Sequence, residues 1–113
     1  MANNAALKLL DRKTVSSNEV GTPFDIGGYS DLETQIRVHV AGGGSVQLQH
    51  AAVNESLAYV NLGTSVSFES VDQDGVYQYF RGTFLRYLRY KVSSSVELSP
   101  VVSIDVVAKE CMP

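Results

Sequence analysis

The sequence predicts an all-β protein, an antiparallel β-sandwich of jelly-roll type with about eight strands. Apolar and polar residues alternate with a period of two in several segments, which is the pattern of strands that turn one face to a core. Turn-forming residues separate these segments at intervals of about 8 to 12 residues, and no segment sustains a helical period. Because 113 residues fit a single domain, we expect one sandwich domain over residues 1–113, with its core in residues 23–110.

Residues 1–22 are interpreted as an extended N-terminal arm or an edge strand. The segment AALKLLDRKTV begins like a helix, but no helical pattern continues past Arg12. In the loop GTPFDIGGYSD that follows, Phe24 and Ile26 are predicted to anchor the chain in the core. An apolar leading segment can add main-chain pairing to a neighbouring subunit. The candidates for such contacts are Leu7, Leu9 and Leu10.

The segment LETQIRVHVA is the clearest strand, with apolar or small residues at even positions and polar residues at odd positions. The glycines of AGGGS and the alternation in SVQLQHAA predict a hairpin with the next strand. Such a hairpin would place His39 and His50 on adjacent strands. Zinc usually needs three or four protein ligands, so two histidines do not predict a metal site.

Four further strands are predicted in VSFESV, VYQYF, FLRYLRYKV and PVVSIDVVAKE. Between the first two lies DQDG, Asp72 to Gly75, whose closing Asp-Gly predicts a hairpin turn because both residues accept positive φ. DQDG also begins like a calcium loop, but the downstream glutamate of an EF-hand is missing. In the last strand, Val102, Ile104, Val106 and Ala108 are predicted to face inward.

The strand FLRYLRYKV mixes aromatic rings with cations, which raises the question of its two faces. Phe84, Leu88, Tyr90 and Val92 share the predicted core face with Arg86, which we expect at a sandwich edge, in solvent or paired with a carboxylate. The other face is expected to be exposed, and Tyr and Arg are enriched at protein interfaces. The preceding strand is expected to extend this surface. The candidate interface residues are Tyr77, Tyr79, Tyr87, Arg89 and Lys91.

The remaining chemistry is sparse. A net charge of −3 does not favour binding to nucleic acid, and the single cysteine, Cys111, rules out an intrachain disulfide. The glycine clusters lack the strand-to-helix context of phosphate loops, and no nucleophile motif is present. Neither a signal peptide nor an apolar span of membrane length is found. We therefore expect no enzymatic activity, no cofactor and no membrane partner.

Read in order, the chain runs from FDIGGYSDLETQIRVHVAGGGSVQLQHAAVNESLAYVNLGT through FLRYLRYKV to SPVVSIDVVAKE. This succession resembles small β-sandwich proteins of tailed bacteriophage particles, over roughly residues 24–110. Those proteins also finish with a strand like RYLRYKV and a strand like SPVVSIDVVAK. Where they often carry a tryptophan this chain has Tyr59, and Asn54-Glu55 stands where Asp-Gly is common.

The resemblance implies a non-enzymatic virion protein, assembled in the host cytoplasm, that decorates a capsid or joins a tail or fibre. Its partners would be other virion proteins, and a homo-oligomer such as a trimer or larger ring would suit a particle surface. The alternative is a carbohydrate-binding sandwich that uses Tyr59, Tyr77 or Tyr79 as a stacking surface. The absence of tryptophan weighs against that alternative.

Overall fold

A computed structural model describes residues 4–82, 84–94 and 98–110. These residues form nine β-strands and one 3-10 turn, Ser56–Ala58. The strands are β1 (Asn4–Thr14), β2 (Glu19–Val20), β3 (Phe24–Asp25), β4 (Asp31–Val40), β5 (Gly44–Ala51), β6 (Val60–Ser67), β7 (Asp72–Arg81), β8 (Tyr87–Ser94) and β9 (Val101–Lys109). Within the described ranges there is no helix long and apolar enough to cross a membrane.

The strands form two sheets. Sheet A has the order β1-β9-β4-β7, and sheet B has the order β2-β8-β5-β6 with β3 also paired to β8. The pairing is nested, as in a long hairpin that has been rolled up: β5 pairs with β6, β4 with β7, β2 and β3 with β8, and β1 with β9. Because β2 and β3 share one strand position, eight positions result in jelly-roll order. The predicted fold class is confirmed.

The nested pairing overturns two predicted hairpins. β4 and β5 are consecutive in the chain but lie in different sheets, so Ala41 to Gly43 cross the sandwich instead of closing a hairpin. His39 and His50 consequently lie in opposite sheets and do not face each other. β6 and β7 are likewise split between the sheets, and Asp72 to Gly75 belong to β7. The physical reason is that period two specifies which face a residue takes but not which strand lies alongside.

The core fills the space between the sheets with the residues that the alternation predicts. Leu32, Ile36 and Val38 of β4 are at most 1% exposed, and the predicted inward residues of β9 are equally buried. From β8, Leu88, Tyr90 and Val92 point inward, which confirms the predicted core face of that strand. Ile26 anchors its loop at 1% exposure as expected, while Phe24 is half-buried.

The first strand is part of the sandwich and not a free arm. Residues 4–14 pair antiparallel with β9 along the edge of sheet A, and the register shifts twice, between Lys8 and Leu10 and between Leu10 and Lys13. Arg12 has a φ of 46° at the second shift. The structure therefore corrects the expectation of an extended arm for residues 4–14 in favour of the edge strand. Residues 1–3 of that predicted arm, and Cys111, lie outside the described residues.

A side-chain amide closes the other long edge of the sandwich. Gln78 of β7 accepts a hydrogen bond from the Thr64 backbone N–H (2.9 Å) and donates one to the Thr64 carbonyl (3.0 Å) in β6. It therefore pairs with β6 as a neighbouring peptide group would. Gly63, with a φ of +73°, makes room for this contact, since a Cβ there would lie 2.1 Å from Gln78 Oε1.

A polar row ties together all four strands of sheet A. The Arg12 backbone N–H of β1 donates to Ser103 Oγ of β9 (3.0 Å), which contacts His39 Nε2 of β4 at 2.8 Å. His39 Nδ1 in turn contacts Gln73 Oε1 of β7 at 2.9 Å. A neutral His39 with its proton on Nδ1 satisfies the row, because Ser103 then donates to Nε2.

Candidate functional site

The predicted interface residues of β7 and β8 lie on opposite outer faces of the sandwich. Tyr77 and Tyr79 project from sheet A, whereas Tyr87, Arg89 and Lys91 belong to sheet B. The expectation that β7 extends the surface of β8 is therefore wrong. The two strands follow each other in the chain, but the roll of the fold assigns them to different sheets.

On the outer face of sheet B, an arginine covers the central ring. Arg89 Cζ lies 3.8 Å from the centroid of the Tyr59 ring, and Arg89 Nε donates to Gln49 Oε1 at 3.0 Å. Gln49 Nε2 in turn donates to Asn61 Oδ1 at 3.2 Å. The Tyr59 hydroxyl donates to Asn54 Oδ1 at 2.9 Å. Burial raises the pKa of that hydroxyl. Tyr59 is only 8% exposed, so the prediction that its ring stacks on a sugar is wrong.

Arg86 has a simple partner. Its guanidinium forms two-atom hydrogen bonds with the Asp25 carboxylate, the shortest at 2.9 Å, and its Cζ lies 5.2 Å from the Tyr87 ring centroid. The Arg86 hydrogen bond, followed by one from the Gly27 backbone, lowers the pKa of Asp25. The prediction of an edge arginine paired with a carboxylate is confirmed.

The three leucines proposed for subunit contacts differ in accessibility. Leu10 is 4% exposed and belongs to the core, so it cannot contact a partner in this conformation. Leu7 and Leu9 are half-buried and pack against the core from the edge strand. Of the β8 candidates, Lys91 is exposed and Tyr87 is half-buried.

The outer face of sheet A contains an open groove of about 440 Å³. Two cross-strand rows form it: Tyr79 beside Glu33 and then Val107, and Tyr77 beside Gln35 and then Asp105. Tyr77 is 71% exposed and Tyr79 56% exposed, so their rings stand as a wall along β7. The floor of the groove is formed by residues of β4 and β9, namely Glu33, Gln35, Asp105 and Val107.

Hydrogen bonds hold both rings in place. Gln35 Nε2 donates to the Tyr77 hydroxyl (2.8 Å) and to the Asp74 carbonyl (2.7 Å). The Tyr79 hydroxyl donates to Asp31 Oδ2 at 3.1 Å, and desolvation, assisted by this bond, raises the pKa of Tyr79. These hydrogen bonds preorganise the groove wall.

The charges beside the groove are balanced. Lys109 pairs with Glu33 at 3.1 Å. Asp105 forms salt bridges with two cations, Lys8 at 3.0 Å and Arg37 at 3.1 Å. Each carboxylate of the groove therefore already has a positive neighbour.

One end of the sandwich exposes a group of aliphatic side chains, which we call the loop cluster. Leu57, in the 3-10 turn, is fully exposed. His50 brings Val60 and Leu85 close together. It is the cross-strand partner of Val60, and its Nδ1 accepts a hydrogen bond from the Leu85 backbone N–H at 3.0 Å. Burial lowers the pKa of His50, which favours the neutral imidazole that can accept this hydrogen bond. The loop cluster consists of Val53, Leu57, Val60 and Leu85.

A second aliphatic group lies at the other end of the strands. Val40 closes β4, Val71 precedes β7, and Leu98 precedes β9; they are 51%, 54% and 67% exposed. The Gly43 N–H donates to the Leu98 carbonyl at 3.0 Å, and the Gly42 N–H donates to the Phe68 carbonyl at 2.8 Å. These bonds bring the three connections together. We call this group the opposite-end cluster.

Sequence reasoning missed the groove floor and both clusters. Glu33, Gln35 and Asp105 alternate with core residues, so their outward direction was predictable, but their meeting depends on the order of β9, β4 and β7. The clusters lie in loops or at strand ends, where periodicity carries no information.

Comparisons with solved structures agree with the sandwich fold. A crystal structure of the SPBc2 prophage-derived protein YomS matches with a TM-score of 0.66 and 12% identity, covering 96% of this chain and 95% of that one. A protein of the Bacillus endospore appendages, which form disulfide-linked pili, matches with a TM-score of 0.54 and 8% identity, covering 100% and 88%. No protein-family profile matches, and no curated protein matches significantly. At these identities the likeness shows a shared β-sandwich fold.

Proposed function

We propose that this protein is a non-enzymatic structural subunit of a bacteriophage particle, which decorates a capsid or joins a tail through contacts with other virion proteins. In this proposal it assembles in the host cytoplasm and also contacts copies of itself. The observation that carries the proposal is the exposure of aliphatic side chains at both ends of the sandwich, including the fully exposed Leu57.

The loop cluster and the opposite-end cluster suit contacts between subunits. Exposed aliphatic residues scattered singly need no explanation, but grouped ones mark interaction surfaces. The two groups lie at opposite ends of a molecule that is 48 Å long. Two different patches on one molecule support a head-to-tail contact, which closes into a ring or continues as a filament.

The fold likeness supports the same proposal from another direction. The match to a prophage-derived protein spans nearly the full length of both chains. The appendage protein that shares the fold is said to form pili. Both likenesses favour an assembly role in this proposal over a role as a solitary domain.

The first test is the mass of the native protein by light scattering over a range of concentrations. We expect species larger than the monomer, which Val53→Ser combined with Leu57→Ser shifts towards the monomer. Val20→Ser is the matched control, because Val20 and Val53 are both 50% exposed but Val20 lies outside either cluster.

The second test is mass spectrometry of purified particles from a lysogen that encodes the chain, where we expect it at stoichiometric levels. A chain that stays monomeric at every concentration and is absent from the particles would contradict the proposal.

A further inference from the structure

We propose that the groove on the outer face of sheet A binds a neutral oligosaccharide, which stacks on Tyr77 and Tyr79 and hydrogen-bonds to the groove floor. This inference does not rest on the proposed assembly role, because it uses neither the loop cluster nor the opposite-end cluster.

The aromatic wall fits an extended ligand. Tyr77 and Tyr79 lie two residues apart on β7, so their attachment points are separated by about 6.6 Å along the strand. A ligand that touches both rings must run along the strand, which favours an oligosaccharide over a single sugar. Both rings are exposed and their hydroxyls are already held by hydrogen bonds, so they can offer apolar surface to the C–H side of a sugar ring at little entropic cost.

The floor offers the acceptors, and the wall the donor, that the hydroxyl groups of a ligand need. Both hydrogens of Gln35 Nε2 are used within the protein, while Gln35 Oε1 has no donor among the described residues. Glu33 donates nothing and uses one oxygen for Lys109, which leaves the other oxygen for a ligand. The Tyr77 hydroxyl accepts from Gln35 and keeps its own hydrogen for a ligand acceptor.

The charge balance selects a neutral ligand. An anionic ligand such as a phosphate, a sulfate or a carboxylate gains little, because the cations beside the groove, Lys109, Lys8 and Arg37, are already paired with Glu33 and Asp105. A cationic ligand gains little, because Lys109, Lys8 and Arg37 already neutralise these carboxylates. A polyhydroxyl compound meets neither obstacle. A small set of placed polar groups beside apolar surface is the usual composition of a ligand site.

The outer face of sheet B provides an internal contrast. There Tyr59 is covered by Arg89, and the nearby amides bond to each other and to the arginine. Among the described residues, that face has no pair of exposed tyrosine rings like Tyr77 and Tyr79. The oligosaccharide proposal is therefore specific to the groove of sheet A.

The experiment is to probe the full chain with an array of neutral oligosaccharides of two or more units, printed beside sialylated and sulfated glycans. We expect binding to neutral members only. A neutral trisaccharide that binds is then titrated by two-dimensional NMR, where the shifted amides should lie in β4, β7 and β9.

Variants connect the binding to the groove. Tyr77→Ser combined with Tyr79→Ser should weaken the titrated trisaccharide at least tenfold, whereas Tyr87→Ser, on the other face, should leave it unchanged. Light scattering of the double variant should show the wild-type mass.

Silence of every neutral glycan with a folded chain would overturn the inference, as would a preference for charged glycans. If the double variant instead alters self-association, the tyrosine face is a protein interface and the oligosaccharide proposal fails. Failure of the assembly proposal, by contrast, would appear in the loop-cluster variants and leave glycan binding intact.

Discussion

The two outer faces of this sandwich use the same residue types to opposite effect. On sheet B, Tyr59 lies beneath Arg89 and is 8% exposed; on sheet A, Tyr77 stands 71% exposed although it is equally held by an amide. The difference comes from the neighbours. Arg89 is not paired with a described carboxylate and lies over a ring, whereas Arg37 on sheet A is drawn to Asp105. Whether a tyrosine ring on these faces is exposed thus depends on whether the nearby arginine pairs with a carboxylate or lies over the ring.

The largest expected effect is a difference in stability loss between alanine variants of Tyr59 and Tyr77. Tyr59→Ala should lower the free energy of unfolding by about 3 kcal/mol, because it removes a buried ring and the support of Arg89. Tyr77→Ala should change it by less than about 0.5 kcal/mol, as for surface substitutions in general. Urea denaturation of both variants measures the contrast. Equal losses would mean that the two faces do not differ in the way their tyrosines are packed.

Next in size is the polar row of sheet A. Ser103→Ala should cost about 2 kcal/mol, because it leaves the buried His39 nitrogen and the Arg12 N–H without their partner. Amide hydrogen exchange at Arg12 should accelerate, while amides of sheet B should be unaffected beyond the global loss. Ser65→Ala, at an exposed site, is the control. An unchanged Arg12 exchange rate would show that the row does not fasten β1.

A smaller effect tests the closed edge between the sheets. Gly63 and Gly82 have similar φ values, +73° and +66°, but a Cβ meets nothing within 4 Å at Gly82. Gly82→Ala should therefore cost about 1 kcal/mol from backbone strain alone. Gly63→Ala should cost about 1 kcal/mol more, because it also displaces Gln78 from Thr64. Thermal denaturation compares them, and identical losses would deny the Gln78 contact a role in stability.

The smallest effect is a pH dependence that originates in sheet B. Burial lowers the pKa of His50 below its ordinary value of 6.5, so the unfolded chain binds a proton more readily than the folded one. The stability contribution is complete above pH 6.5 and declines as the pH falls towards the folded pKa. Urea midpoints from pH 7.5 to 5.5 should fall more for wild type than for His50→Gln. Parallel curves would assign the acid sensitivity to other groups.

Much of the fold was predictable because alternation reports burial directly. The inward residues of β4, β8 and β9 were predicted one by one, and the carboxylate partner of Arg86 was expected as a class. The signal at Asp72 to Gly75 was also real but was assigned to the wrong structure. Gly75 does adopt a positive φ, of +84°, yet it serves a bulge in β7, where Asp72 Oδ1 accepts the Gly75 N–H.

Strand partners and surfaces were not predictable, for a physical reason. A strand pattern is satisfied by any partner that covers its apolar face, and the choice among partners is made by how the two sheets close around a shared core. The groove joins residues more than 70 positions apart, from Glu33 to Asp105 and Val107. Tyr59 is buried and Tyr77 exposed because Arg89 covers Tyr59, and no local sequence pattern relates Arg89 to Tyr59.

The position of β9 has a consequence for the order of events during synthesis. β9 is the last of the nine described strands to be made, yet it lies between β1 and β4 in sheet A. The main strands of sheet B can pair as soon as β8 has left the ribosome, whereas β1 must wait for partners 87 to 105 residues downstream. Until then β1 has no partner strand and the side of β4 that β9 will occupy is unpaired, so a strand of another chain that arrives in that interval competes with β9 for the same hydrogen bonds.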